Sequence, residues 1–302
     1  MTAHDVVARV RKIARMKQVG HAGTLDPMAR GVLPVALGRA TRLLRFLQDD
    51  KVYKAAVLFG KSTDTDDIEG KEIASSDRIP EQSEISEALK NFMGTIEQVP
   101  PAYSAIHVGG ERLYNLARKG ELPAEIPSRR VTVHSIESLG YSAGVLELRI
   151  HCSTGTYIRS IARDLGLALG THACLSALER ERAGPFEISE SSSLEKLVEA
   201  AAADTLGNLF ESPERKLFLP RVELHADQYK RLGFGQKLEC ENPFGAQEAA
   251  APDQYVMAMY DGKVAGVCLL LPKQSHENTL SEPSSFIVEL KPEVVLFDGS
   301  IH

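Results

Sequence analysis

Leu146, Leu148, Ile150 and Cys152 alternate with Glu147, Arg149 and His151, a period of two that predicts a strand buried on one face. Val52 to Phe59 predicts another strand, with Tyr53, Ala55, Val57 and Phe59 sharing a face. The Leu146 strand runs through Ser153-Thr154-Gly155 into a segment where Ile158, Ile161, Ala162, Leu165 and Leu169 recur at helical spacing. Arg159 and Arg163, one turn apart, are directed away from that stripe. Nearer the start, Thr2 as N-cap with Asp5 three residues on opens a helix carrying Val6, Val7, Val10 and Ile13. A glycine-rich stretch from Gly20 to Gly31 separates it from a short helix over Arg39 to Leu47. Strands and helices mix without regular βαβ alternation, which predicts an α+β fold with a mixed, largely antiparallel sheet and flanking helices.

The pattern changes beyond Pro185. Ser191-Ser192-Ser193 precede a helical stretch to about Leu209, and Pro213 to Pro220 reads as a linker. Residues 255–271 alternate around Asp261-Gly262, a strong two-residue hairpin signal, and Ile287 to Phe297 continue the strand pattern until Pro292 breaks it. These residues predict a small β-rich C-terminal domain, with polar loops near 241–254 and 273–285.

Composition narrows the class. The 302 residues are 43% hydrophobic and 25% charged, enough for about two globular domains and far from disordered or collagenous sequence. Cys152, Cys174, Cys240 and Cys268 are too few and too scattered for a disulfide framework and form no C-x-x-C pair, so a reducing cytoplasm is expected. No apolar run is long enough for a membrane span. The net charge of −6 hides an asymmetry: residues 1–48 carry nine Lys or Arg against Asp5 and Asp26, while the tail from residue 187 sums to −9. A basic front suits a polyanion laid on one face, and equally a solvated charged surface.

Several motifs fail on context. Gly60-Lys61-Ser62 imitates the end of a phosphate loop, but the first glycine of that motif would fall at Ala55, inside an apolar strand. Asp64, Asp66, Asp67 and Glu69 imitate a calcium loop, but its sixth position is Glu69 rather than glycine, so a solvated loop is expected. The nine histidines lack metal-site spacing.

What remains is Gly20-His21-Ala22-Gly23-Thr24-Leu25-Asp26-Pro27-Met28-Ala29-Arg30-Gly31. Pro27 biases Asp26 away from helical backbone and holds a carboxylate in a glycine-punctuated turn. Residue type alone makes Asp26 a turn aspartate; chemistry would need a cation beside it and a pocket in front of it.

The segment Gly20 to Pro27 resembles the signature of TruB-type tRNA pseudouridine synthases. Further matching segments follow in the family's order: Lys51-Val52-Tyr53-Lys54-Ala55, Thr63-Asp64-Thr65-Asp66-Asp67, Pro100 to Ala105, Gly155 to Ser160, Ala162 to Gly166 and Ala183-Gly184-Pro185-Phe186. The likeness spans residues 1 to about 186, and the tail from Arg221 is similar, more weakly, to the family's PUA-type domain. It implies a catalytic domain over 1–218 with an RNA-gripping insertion at about 100–130, and a PUA-like domain over 219–302. It further implies that uridine is isomerised to pseudouridine in the T-arm loop of tRNA, at conventional position 55, by a monomer with no cofactor, metal, membrane or obligate protein partner.

By the same resemblance Asp26 is the catalytic carboxylate and Arg159 its ion-pair partner, Tyr53 stacks on the target base, Tyr157 and Leu178 line the pocket, and His21, Arg30 and Arg112 meet RNA. The physical reading agrees: a base cut from its sugar and rejoined through carbon must leave its stack and be held on an aromatic face. Tyr157 and Leu178 also fit as plain core. The chain departs from the family in three places. The strand that usually precedes the Thr-x-His-Asp-Val-Val segment is not in this sequence, His107 replaces a usual lysine, and Glu179 replaces a usual arginine. A catalytically weak RNA-binding protein is the competing class. A glycoside hydrolase would need a second paired carboxylate that the sequence does not single out.

Overall fold

The computed structural model describes residues 1–244, 254–272 and 287–296. They fold as two compact units that interleave along the chain. The first comprises Met1–Val6, Gly23–Pro34 and Asp49–Ser191, the second Val7–Ala22, Val35–Gln48 and Ser192–His302. The 218/219 boundary expected from sequence falls inside the second unit. Helix α1 (Ala3–Ile13) opens the chain under the expected cap, Asp5 N–H donating to Thr2 Oγ1 at 3.2 Å and Thr2 N–H to the Asp5 carboxylate at 2.9 Å.

The first unit is built on a seven-stranded sheet of β1 (Arg30–Gly31), β2 (Lys51–Phe59), β3 (Gly94–Gln98), β4 (Arg129–Ser142), β5 (Val145–Cys152), β6 (Ala173–Ala183) and β7 (Phe186–Glu187). The order is β7-β6-β2-β5-β4-β3, antiparallel throughout, with β1 added parallel to β6. Central β2 buries every second residue, placing Tyr53, Ala55, Val57 and Phe59 on the face that Leu146, Leu148, Ile150 and Cys152 share on β5. Helix α2 (Gln82–Leu89) contributes Ile85 and Leu89 to this core. A short ladder of His107–Val108 with Glu111–Arg112 leads into α3 (Leu113–Lys119), within the segment expected as an insertion. Helix α4 (Ile158–Ala168) supplies the predicted stripe of Ile158, Ile161, Ala162 and Leu165 and packs on β6 and β2.

In the second unit, helix α5 (Leu194–Ala202) starts at the Ser193 cap and stops well short of Leu209, and the expected linker contains a short helix, Pro213–Lys216. Helix α6 (Ala226–Gly233) adds Leu232 to the core of a five-stranded sheet. Its strands are β8 (Arg221–Glu223), β9 (Leu238–Glu241), β10 (Gln254–Tyr260), β11 (Lys263–Pro272) and β12 (Ile287–Val295), in the order β8-β10-β11-β12-β9. Asp261 and Gly262 make the predicted β10–β11 turn, both at positive φ (51° and 70°), as a two-residue hairpin of matching twist requires. Pro292 does not end β12. From Lys291 onward the strand has β11 on one side alone, and the β11 register slips between Val267 and Cys268 opposite the proline. The expected loops at 241–254 and 273–285 lie mostly outside the described residues.

The segment predicted as a helix over Arg39 to Leu47 is a 3-10 helix, Gly38–Phe46. With three residues per turn, residues three apart stack on one side. Ala40, Leu43 and Phe46 therefore face the core, while Arg39, Arg42 and Arg45 reach Leu296 O, Val295 and Glu293 O, and the Glu293 carboxylate.

Candidate active site

Asp26 sits in the loop Gly23–Pro34 of the first unit. Ala29 N–H donates to Asp26 O at 2.9 Å, closing a turn with Pro27 at its second position, where the fixed proline φ fits. Leu25, Met28 and Ala29 pack on the core. After the turn, Arg30 and Gly31 pair with Glu179 and Arg180 of β6. Gly31 lies at φ +107°, and a Cβ there would stand 2.2 Å from the Arg180 carbonyl oxygen. A Gly31→Ala variant should therefore lose about 2 kcal/mol or more of stability in denaturant unfolding. Parental stability would show that the backbones tolerate separation.

The Asp26 carboxylate meets Arg159 in a two-point contact: Nη2 donates to Oδ1 at 2.8 Å and Nε to Oδ2 at 2.9 Å. The rest of the guanidinium is also occupied. Nη1 donates to Thr65 O at 2.9 Å and lies 3.7 Å from the Asp67 carboxylate, and Nη2 donates to Tyr103 O at 3.1 Å. The Arg159 side chain is 5% exposed and that of Asp26 27%, so a dry cation holds a partly open carboxylate. Arg159 was expected to point away from the apolar stripe; it does, and into a buried site rather than solvent. Its helix is fixed at its start by buried Gln98, whose side chain accepts from Tyr157 N at 2.8 Å and donates to Tyr157 O at 3.1 Å.

The acidic run expected as a solvated loop folds inward at Asp66 and Asp67, while Glu69 stays exposed. Asp67 is buried, and its carboxylate accepts from Thr65 Oγ1 at 2.8 Å and Glu69 N at 3.1 Å. Asp66 pairs with Arg163 at 2.8 Å, and burial is the main cause raising its pKa, against the pull of that guanidinium. The two arginines of α4 explain the difference: charges that look solvated in sequence neutralise each other across the fold.

Tyr53 is 8% exposed and sits across the β2–β6 ladder from Arg180. Burial, its largest influence, raises the phenol pKa against the Arg180 charge, so the phenol is neutral and mostly buried. Leu178, opposite Ala55, is buried in the same core cluster, and Tyr157 is half-buried at the start of α4. Thus Asp26, Arg159, Tyr53 and Leu178 belong to one unit. Arg30 and Arg112 are exposed in that unit, on β1 and just before α3, whereas His21 lies in the second unit, on a short strand paired with Val35–Leu37.

The sequence assigns no role beside Asp26 to Thr65, Asp67, Gln98 or Arg180, although Thr65 and Asp67 lie in a segment that matches the family. Arg180 gave one usable signal, since it falls two residues after Leu178 and so at a core-facing position of the same strand. A separate group, Asp50, His134 and His151, brings three ligand-type atoms within 4.8 Å of one another on the outer face of the sheet. Arg182 Nη2 lies 3.1 Å from His151 Nε2 and takes the lone pair a metal would use.

With this geometry in place, comparison with known proteins gives a consistent result. Residues 11–158 match the model of the TruB family pseudouridylate synthase N-terminal domain, and residues 159–220 that of the tRNA pseudouridylate synthase B C-terminal domain. A tRNA pseudouridine synthase B of Gloeobacter violaceus is 46% identical over 263 residues, covering 85% of this chain and 89% of that protein. One of Nostoc sp. is 52% identical over 245 residues, covering 79% and 82%. Among solved structures, a chain of a Cbf5–Nop10–Gar1 complex superposes with a TM-score of 0.68 at 26% identity, covering 89% of this chain and 74% of that one. A chain of the archaeal box H/ACA Nop10–Cbf5 complex reaches 0.69 at 23% identity and shares the fold, covering 98% and 82%. The α+β sheet with a β-rich C-terminal domain is the pseudouridine synthase architecture, and this chain belongs to the TruB family of pseudouridylate synthases.

Proposed function

We propose that this chain isomerises uridine to pseudouridine in the T-arm loop of tRNA, at conventional position 55, with Asp26 as the reacting carboxylate. The relatives named tRNA pseudouridine synthase B support tRNA as the substrate. The observation that carries the residue assignment is the two-point Asp26–Arg159 contact in the unit that holds Tyr53 and Leu178. The reaction breaks the bond between C1′ and N1, turns the uracil and joins C1′ to C5; C5 gives up its proton and N1 gains one, leaving the formula and oxidation level unchanged. No redox partner enters that balance, and the reading is of a cofactor-free monomer acting in the cytoplasm; no helix among the described residues is long and apolar enough to cross a membrane.

Each residue then has a task. The Asp26 carboxylate, oriented by the two-point contact with Arg159, supplies the negative charge for attack on the base or the sugar carbon. Tyr53 offers an aromatic face to the flipped uracil, and Leu178 with Tyr157 walls the pocket. His21, Arg30, Arg112 and the segment 100–130 grip the RNA. Release of tritium from tRNA transcript labelled at uracil C5, with the product mapped to position 55, tests the assignment; release from another position would refute the T-arm reading. Because the grip is on phosphates, tRNA affinity should fall linearly on a log–log plot as salt rises, while an isolated T-arm hairpin still binds. Salt-independent binding in a filter assay would contradict this.

A further inference from the structure

We propose that Arg180 is a positioning residue, which sets the Asp26 loop against the Tyr53 platform by gripping the loop's backbone on both sides of the carboxylate. The proposal rests on the reading of Asp26 as the reacting group.

Arg180 is 0% exposed, and a guanidinium in such a place is strongly disfavoured unless its donors are met. A carboxylate would be the ordinary partner, yet among the described residues Arg180 makes no ion pair. Its guanidinium instead donates to three main-chain carbonyls, Val32 O through Nε at 2.8 Å, Gly23 O through Nη2 at 3.0 Å and Thr24 O through Nη1 at 3.4 Å. All three belong to the Asp26 loop, two before the carboxylate and one after it. The Arg180 main chain holds the same loop, its carbonyl accepting from Val32 N–H at 2.9 Å while Gly31 pairs beside it.

The other neighbour of this side chain is the tyrosine. Tyr53 is its direct partner across β2 and β6, where the guanidinium charge acts on the phenol. One side chain therefore joins the two groups whose separation decides whether a base on Tyr53 comes within reach of Asp26. Arg159 fixes the carboxylate's orientation, and Arg180 fixes where its loop stands. Carbonyl oxygens carry no net charge, so what this donor set specifies is geometry, set by the rigid planar fork of the guanidinium.

The test compares Arg180→Lys, which keeps the charge but not the fork, with Arg180→Ala supplied with guanidinium ion, alongside Asp26→Asn as control. Single-turnover rate at saturating enzyme, tRNA Kd and thermal unfolding are measured for each. Arg180→Lys should remain folded and bind tRNA within about threefold, while its rate falls by roughly 100-fold, the scale of a displacement of about 1 Å. Guanidinium should restore part of the Arg180→Ala rate without changing tRNA affinity. A parental rate in folded Arg180→Lys, or a loss appearing only in Kd, would overturn the positioning role. Unfolding of both variants would also overturn it, assigning Arg180 to the stability of the whole unit. Turnover by Asp26→Asn would instead bring down the underlying reading.

Discussion

Asp26→Asn should yield no detectable pseudouridine while the protein stays folded and tRNA affinity stays within about tenfold, one ordinary contact being worth roughly 1.4 kcal/mol. The substitution is nearly isosteric. The carboxamide oxygen still accepts one of the two Arg159 N–H groups, and Asp67, 3.7 Å from the same guanidinium, still balances its charge. What disappears is the anion, without which neither attack on the base nor attack on the sugar carbon can begin. Binding and chemistry therefore separate, and tritium release beside a filter-binding titration reads both. Turnover by a folded variant, after mass spectrometry excludes hydrolysis of the amide back to Asp, would place the active site elsewhere.

The residues that carry strong periodicity were readable before any coordinates. Lys51–Phe59, Val145–Cys152 and Ile158–Ala168 form where alternation or helical spacing placed them, because each is half-buried and its pattern records the buried face. Asp261-Gly262 was equally plain, since few residues tolerate two successive positive φ values. Less was legible where tertiary contacts override local preference. Pro292 reads as a strand breaker, but a strand paired on one side only beyond Lys291 can hold it. Arg39, Arg42 and Arg45 suit either helix type in sequence; the distant carbonyls of Leu296, Val295 and Glu293 are the partners of the first two in the three-residue turn, and the Glu293 carboxylate that of Arg45.

The site divides in the same way. Asp26 stood out through Pro27 and its glycine-rich surroundings, but its supports are spread over residues 65 to 180 and share no local motif. The acidic run looked solvated because Arg159 and Arg163 lie almost a hundred positions away. The interleaving of two units along the chain was likewise invisible, since residues 7–22 and 35–48 show no composition break that would announce it.

Arg159→Lys should be nearly as damaging as loss of Asp26, although the charge is kept. Arg159 uses its whole fork: two bonds to Asp26, one each to Thr65 O and Tyr103 O, and one edge toward Asp67. A lysine ammonium offers three donors from a single atom, so it cannot span partners on opposite sides of a planar group. The two carbonyls left unmet would each cost about 1–3 kcal/mol, a loss that calorimetric unfolding should detect. The rate should suffer more than the fold. A one-point contact lets the Asp26 carboxylate rotate, and misalignment of a reacting group commonly costs about 100-fold. We expect a single-turnover rate at least about 100-fold below the parent, with tRNA affinity little changed, because the 5% exposed guanidinium offers RNA almost no surface. Arg159→Ala should lose more stability, since Asp26 and Asp67 would then face each other with no cation between them. A parental rate in Arg159→Lys would mean that charge alone suffices and that the two-point geometry has no part in catalysis.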